Sequence, residues 1–541
     1  MKIEKKGGEV GITIIRFNAN GSFLLDKPKR RGKMRRDSGI LYQILTLGAI
    51  VMGLLLVGVA SKNAYALTAF DERLTVNGYL KEELSMNLQD PPEVPGNDSF
   101  NMSMARTTLW VDANLNLGVV RFSSIIRAVE EYQTNYLRTL ETMSHYDLMG
   151  AYNDFDVREY YADIPIAGRA NLRLGKQIVS WGKVDFFRAM DRINGEDWTW
   201  RSFIPSKEEI KKPLMMANAD IQFPEINSGL QLIVKPGIDR NQDIGDTLDV
   251  FGGRWAAPPN RGFNFLNTLP YNYHFSDGDV RDVTGGVRFS TKIMSSELTL
   301  NWLRTLGPEP IANPNSAVLG ALFGPAKYYK EMPQGTLGDL VFPVQDVFGI
   351  TGNYYSNMMD CLMRTELAYI PNKPYQVGTK YGIPGLKGVA EKETLITMFA
   401  VEKNLGFLQN ILGCREAPLL LAQYYDVWIT NYDSADDIVY SLGNAAPRHQ
   451  NDPSLTLALN WSYLSGRVSP GLAWVGDLRE GGGLLIPSCS FQLGDHWRAK
   501  IEVDWFYDKG HTDPGQTGDN TYIFGLFSNS SQAYASVSYL F

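Results

Sequence analysis

The chain is poor in the residues that bind metals and staple folds. Three cysteines, Cys361, Cys414 and Cys489, stand far apart in 541 residues. No C-x-x-C pair and no Cys/His cluster occurs, so the spacing of a metal site is missing. Histidine is scarce too: His145, His274, His449, His496 and His511 are the whole set. All five fall in segments that read as loops or turns, and none has the spacing of a nucleophile–base pair. Gly481-Gly482-Gly483 follows no strand–helix pattern and reads as a loop rather than a phosphate cradle. Walker and dinucleotide fingerprints are missing as well. These lacks predict no metal, no cofactor and no enzyme. After residue 60 there is also no long apolar run. A helical membrane protein of this length needs several runs of about 20 apolar residues, so that class is excluded.

Basic charge is confined to the beginning. The first 36 residues hold 11 Lys/Arg and 3 Asp/Glu, a net of +8; against a total of -7 this leaves -15 for residues 37–541. An acidic body argues against nucleic acid as a partner. Lys33-Met34-Arg35-Arg36 is followed by an apolar stretch from Ile40 to Ala60 and then by Ala64-Tyr65-Ala66. That order is a basic region, a hydrophobic region and a small-residue cleavage site. It predicts a signal peptide over 34–66, cut after Ala66. Residues 1–33 read as an upstream extension, with either Met1 or Met34 as the start. Leu67, not Cys, follows the cleavage site, so a lipoprotein is not expected.

What is present is alternation. Hydrophobic residues make up 44% of the chain and aromatics 12%, yet the mean hydropathy is only -0.20. From the end backwards, Phe541, Tyr539, Val537, Ala535 and Ala533 share one face, opposite Ser538, Ser536 and Gln532. Period two over ten residues is a strand, and about ten residues cross a bilayer when tilted. Leu109, Val111, Ala113 and Leu115 alternate with Trp110, Asp112 and Asn114. Leu172 and Leu174 flank Arg173, and Val287 and Phe289 flank Arg288. Thr365 and Leu367 alternate with Arg364 and Glu366, and Ile501, Val503 and Trp505 with Lys500, Glu502 and Asp504. An apolar face repeated this often, with no helix layer to cover it, is resolved by a closed barrel facing lipid. Cys361 and Cys489 lie in such runs and read as small wall residues. Trp302, Trp461, Trp474 and Trp505 read as interfacial girdle anchors.

Links between these runs alternate in length. Short ones fall near 117–119, 165–170, 224–229, 291–296, 356–360, 464–466 and 493–496. Long ones fall near 131–154, 181–215, 236–279, 306–345, 371–393 and 431–452. Short periplasmic turns with long extracellular loops is the outer-membrane topology. With both ends periplasmic the strand number is even, which places 508–530, including Tyr522 to Phe527, in a last outer loop. The expectation for 67–541 is an all-β chain forming a single transmembrane antiparallel β-barrel of about 18 strands, with 16 as the alternative.

One stretch is sharper than alternation. Leu172-Arg173-Leu174-Gly175-Lys176-Gln177 runs through Trp181-Gly182 into Lys183-Val184-Asp185-Phe186-Phe187 and Asp191-Arg192-Ile193-Asn194. This resembles an uncharacterised, porin-like family of Gram-negative outer-membrane barrels, a domain of unknown function with the strand R-L-G-[KR]-Q-x-x-x-W-G before an inward-folding loop. Arg364-Thr365-Glu366-Leu367-Ala368-Tyr369 and the aromatic ending fit the same family. Lys183 replaces its usual acidic residue, and Asn194-Gly195 its Asn-Pro. The resemblance implies export or uptake of hydrophobic compounds, in company with an inner-membrane efflux-type transporter.

The 181–215 loop is the candidate functional element, because charges and aromatics mix in it. Folded into the lumen, its Lys183, Asp185, Arg188, Arg192, Glu196 and Asp197 would meet wall charges such as Arg173, Arg288, Arg364 and Glu366 and set a constriction. As a surface cap they would be solvated. The expected function is a passive channel or transporter for hydrophobic or other small molecules. A structural or adhesive barrel is the alternative, and a membrane hydrolase using His145 or His274 a third. Expected partners are outer-membrane lipid, the permeant, and a barrel-assembly machinery that reads Tyr539 and Phe541.

Overall fold

The structure is a computed structural model. It describes residues 73–541 except 167, 184–185, 200–206, 240, 257–259, 265–271, 274–282, 313–320, 322–338, 379–387, 441–446, 480 and 509–522. Upstream it describes only short strands at 16–17, 23–24 and 67–69. The rest of the expected extension and signal peptide lies outside the described residues. The chain divides into two units, Met1–Asn63 and Ala64–Phe541. In the first, Arg16–Phe17 pairs antiparallel with Phe23–Leu24.

The second unit is a closed antiparallel barrel of eighteen strands. The first six are β1 Leu74–Asn87, β2 Met102–Asn116, β3 Arg121–Glu131, β4 Asp154–Ile166, β5 Ala170–Gln177 and β6 Leu214–Phe223. Next come β7 Ser228–Lys235, β8 Thr284–Ile293, β9 Ser296–Leu306, β10 Val344–Ser356, β11 Cys361–Val377 and β12 Gly388–Asn404. The last are β13 Leu419–Ile429, β14 Ser454–Asn460, β15 Val468–Asp477, β16 Gly483–Leu493, β17 Trp497–Tyr507 and β18 Gln532–Leu540. Leu67–Ala69 folds back onto the start of β1. Closure is made by β18 on β1, from Gln532 opposite Asn87 to Leu540 opposite Tyr79. Phe541 completes that seam by exchanging two backbone hydrogen bonds of 3.0 Å with Gly78. No strand edge is left open around the ring, which is the condition for crossing lipid.

The two faces of the wall differ as the alternation predicts. Leu300 is 50% exposed, Trp302 39% and Ile350 42%, all pointing outward. Thr299 and Thr351, one residue away and inward, are 1% exposed. An apolar band on the outside of a closed ring has lipid as its matching solvent. Trp302 and Trp505 lie in that exposed band, while Trp461 and Trp474 are half-buried.

Tyr522 to Phe527 is no barrel strand; its described part is a helical turn, Ile523–Leu526. One link reading needs correction, and two further links fall outside the expected set. The span 371–393 is mostly wall, since β11 and β12 each run 17 residues. Pro371 and Pro374 lie in β11 where it has lost its β10 partner, beyond Tyr369, and where its register with β12 shifts between Ile370 and Lys373. A strand with a bulge and one free side accommodates proline. Conversely, the link between β12 and β13 carries a helix, Gly406–Leu412, where no separate link was expected. The link between β15 and β16, 478–482, is a tight turn although it lies at the end of the long loops. Gly481, at φ 82°, provides the left-handed residue there.

Candidate functional site

The loop joining β5 to β6, residues 178–213, enters the lumen and crosses it. In a ring of eighteen strands, those nine apart are opposite, so β2 faces β11. Near its end the loop is held by β1, β3 and β4. Glu209 accepts from Tyr79 Oη at 3.3 Å and Lys81 Nζ at 2.7 Å. Arg127 donates to the Glu209 carbonyl at 3.2 Å, and Arg158 to the Glu208 carbonyl at 3.0 Å. Near its start the loop is held by the other side of the ring. Glu366 of β11, fully buried, accepts the backbone N–H of Lys183 and, at 3.2 Å, that of Met190. Arg364 donates to the Lys183 carbonyl and pairs with Glu402 at 2.6 Å. Lys183 Nζ reaches Glu297 of β9 at 3.0 Å. Tyr425 of β13 donates to the Arg188 carbonyl at 2.9 Å, and its ring stacks on Phe187 at 4.7 Å.

Apolar contact fills this bridge. Val179, Trp181, Ala189, Met190 and Ile193 pack on inward-facing Ile233, Leu303, Val347, Ile370, Ile396 and Met398. Trp181 is 1% exposed, and its indole N–H donates to Gln231 at 2.7 Å. The next residue must be small: a Cβ on Gly182 would lie 2.7 Å from that of Asp191. Trp-Gly is therefore the point where the chain turns off the wall and doubles against itself.

A second loop, 236–283, packs against the first and against the opposite wall. Arg188 forms a two-pronged pair with Asp246, one arm at 3.0 Å, and lies 3.8 Å from Glu196. Arg192 pairs with Glu309 at 3.0 Å, a carboxylate shared with Lys373. Lys211 pairs with Asp191. Further along, Arg254 reaches Glu131 at 2.6 Å, and Trp255 joins Val475, Leu484, Ile486 and Phe506 of the wall with Phe524 and Phe527. Burial pushes the Asp249 carboxyl up, against hydrogen bonds from Gly253, Tyr152 and Trp255.

The expected residues therefore divide. Lys183, Arg188, Arg192, Arg364 and Glu366 meet in the bridge and its anchors. The Glu196 backbone N–H donates to the Asp246 carboxylate at 2.8 Å, and Asp197 accepts from the Thr199 N–H at 3.0 Å. Arg173 stays apart on the wall, paired with Asp163 at 2.8 Å and lying 4.0 Å over Tyr161. Arg288 points into the lumen level with Gln231 and Asn301, and no hydrogen bond or ion pair holds it among the described residues. Asp185 lies outside the described residues. Sequence reasoning missed the counter-charges Asp246, Glu297 and Glu309, which sit in remote segments with no marking pattern. It also missed the apolar inner wall, whose signal is Leu395-Ile396-Thr397-Met398-Phe399-Ala400-Val401, a strand apolar on both faces.

His145 sits in an outer-loop helix cap and His496 beside the turn end, its ring stacked on Tyr539 at 5.4 Å. His274 and His511 lie outside the described residues. Among the described residues, no group of three or more His, Cys, Asp or Glu is placed to hold a metal ion.

The fold and the loop within it define the class: a closed eighteen-strand antiparallel β-barrel with an internal loop. The sequence family described as "Protein of unknown function (DUF1302)" matches residues 51–231. No curated protein matches the chain. Among solved structures, Pseudomonas aeruginosa OccK9 (OpdG) is similar at 9% identity and a TM-score of 0.46, covering 87% of this chain and 99% of that one. Pseudomonas aeruginosa OpdK with vanillate is similar at 8% identity and a TM-score of 0.45, with the same coverage. Salmonella typhi OmpF with daunomycin follows at 8% and 0.41, covering 88% of this chain and 100% of that one.

Proposed function

We propose that this chain is a passive outer-membrane channel for small molecules, with the 178–213 loop as its constriction. One observation carries the reading: the loop is fixed to both sides of the ring, while part of the lumen beside it stays accessible. On the inner face of β14–β18 near the short turns, Asn460, Ser490 and Gln492 are exposed and Ser488, Ser536 and Ser538 half-buried. Nearer the long loops the same wall is closed: Ser454, Val475, Leu484 and Asp504 are 0% exposed. With the long loops outside, this is a vestibule that opens to the periplasm under a roof. The pairing of Phe541 with Gly78 supports a terminal strand that closes the barrel last, as an assembly signal read by barrel-assembly machinery requires. Hydrophobic cargo, and supply from or delivery to an inner-membrane efflux-type transporter, belong to the same proposal, as does removal of a signal peptide after Ala66.

The test is single-channel conductance of the refolded protein in a planar bilayer, intact and with 185–200 deleted. The expected result is little current from the intact barrel and steady current after the deletion. Silence in both overturns the channel and favours a structural or adhesive barrel, which the closed roof would suit. Loss of a membrane hydrolase activity on substituting His145 would favour the enzyme instead.

A further inference from the structure

A wall ladder is interrupted where an apolar groove lies outside and, inside, an apolar cluster stands beside Asp504, which is buried and accepts from Gln532 at 2.7 Å. Strands β16 and β17 pair from Gly483 opposite Tyr507 to Leu485 opposite Trp505, and again from Ser488 opposite Glu502 onward. The two pairs between, Ile486 with Asp504 and Pro487 with Val503, are skipped, although the register is the same before and after. Pro487 causes the gap, since proline has no backbone N–H to give to β17. On its other side β16 stays paired, with Leu472 opposite Pro487.

Outside the gap, on the lipid face, lies a groove of about 620 Å³. Pro487, Val503, Ala533, Ala535, Met86 and Leu84 line it. It is a depression because two alanines stand between large neighbours such as Ile501 and Leu84, which are 54% and 46% exposed. Inside the gap, Ile486 belongs to the apolar cluster with Val475, Leu484, Phe506 and Trp255. Interiors of open porin lumens are polar, so an apolar patch there needs a reason. Packing under the roof is one. That the patch abuts the two skipped pairs of the β16–β17 ladder, with an apolar groove directly outside, is a second observation which packing leaves unexplained.

We propose that this seam is a lateral passage, through which an elongated apolar molecule moves between the lumen and the lipid, resting in the groove. The proposal builds on the channel reading and gives it a cargo class. The roof makes the side route necessary: the wall above the vestibule is closed towards the outside. Its lining commits the groove to an apolar cargo chain rather than to a second protein: Pro487 and Val503, the outward pair at the gap, line it together with Leu84, Met86 and Ile501 of the lipid-facing band.

The experiment locks the seam. In a chain with Cys361 and Cys414 changed to Ser, Ile501→Cys stands directly opposite the native Cys489 across the ladder, next to the gap and within reach of a disulfide, while Pro487 is kept. Two readouts are taken: uptake of the apolar dye N-phenyl-1-naphthylamine by cells carrying the barrel, and conductance of the 185–200 deletion. Oxidation should abolish dye uptake, reductant should restore it, and conductance should not change. Undiminished uptake with the bond formed, or no uptake by the unlocked barrel, overturns the passage while leaving the channel standing. Silence of the deletion form instead removes the channel reading itself. Pro487→Val, which returns the missing donor, guards against distortion by the lock: slower uptake at unchanged conductance supports the seam, and unchanged uptake overturns it.

Discussion

Two walls of the same lumen have opposite characters. From β6 to β13 the loop-end half of the inner face is largely apolar, through Ile233, Leu303, Val347, Ile370, Ile396 and Met398, with Arg288 left without an ion pair among the described residues, and burial reaches down to Thr299 and Thr351, both 1% exposed. From β14 to β18 the turn-end half is Ser, Asn and Gln with Arg498 and Lys500 of β17 among them, polar and wet. A polar lumen without a loop needs no counter-surface, because water serves it; an inward Ile or Met does. The side chains inside a barrel thus record what occupies it. The apolar wall matches the loop that covers it, and the polar wall meets water.

That contrast can be broken most strongly at Arg188. Arg188→Ala leaves Asp246 buried and without its guanidinium, at a cost of about 3–5 kcal/mol against the filled wall. Hydrogen exchange across 178–195 should accelerate and the intact barrel should begin to conduct, while its heat-modifiable gel mobility stays the same. Unaltered exchange would mean the pair does not hold the bridge. A smaller effect comes from Glu366→Gln, which keeps one acceptor for two backbone donors and brings an N–H towards them; about 1–3 kcal/mol of local stability should go. Partial opening, with brief conductance events, is the expected trace.

Acidity offers a reversible version. Asp239 accepts from the Met215 N–H at 2.9 Å, where the second loop leaves β7 beside β6. Burial, opposed by that hydrogen bond and aided by Asp243, raises its carboxyl to about 6. A carboxyl raised in the fold favours the folded state fully below its ordinary range near 4 and loses that contribution as pH rises through about 6. Protection of the Met215 amide, corrected for intrinsic exchange, should therefore increase from pH 7 to pH 5, and Asp239→Asn should flatten the change. The least effect is expected on the wet wall. Ser490→Asp should shift stability by no more than about 0.5 kcal/mol, yet raise the cation preference of the loop-deleted pore. A marked loss of stability there would show that the polar wall is packed after all.

Much of this was legible in the sequence. Alternation at Leu109–Leu115, Leu172–Leu174 and Thr365–Leu367 gave strand faces that the structure keeps, because period two is a local property of the backbone. Link lengths were readable wherever Gly and Pro punctuated a turn, and misleading over 371–393, where the tolerance for proline depends on which neighbour strand has ended. The charged loop residues pointed to the bridge. Their partners did not, since Asp246, Glu297 and Glu309 are brought to Arg188, Lys183 and Arg192 only by barrel closure. Inward apolar residues were hidden for a related reason: on β12 both faces are apolar, and a period needs contrast to be seen.

Backbone meets backbone between the two loops. A Cβ on Gly195 would lie 2.5 Å from the Gly245 carbonyl carbon, and one on Gly245 would strike the Phe342 ring. Next to this contact run the Thr247 N–H to the Glu196 carbonyl and the Trp198 N–H to the Thr247 carbonyl, each 2.9 Å. Loops joined this way are a single stopper with two stems, one rooted between β5 and β6 and the other between β7 and β8. A stem that leaves its seat must break these contacts or carry the other stem with it, which couples the two loops in any opening.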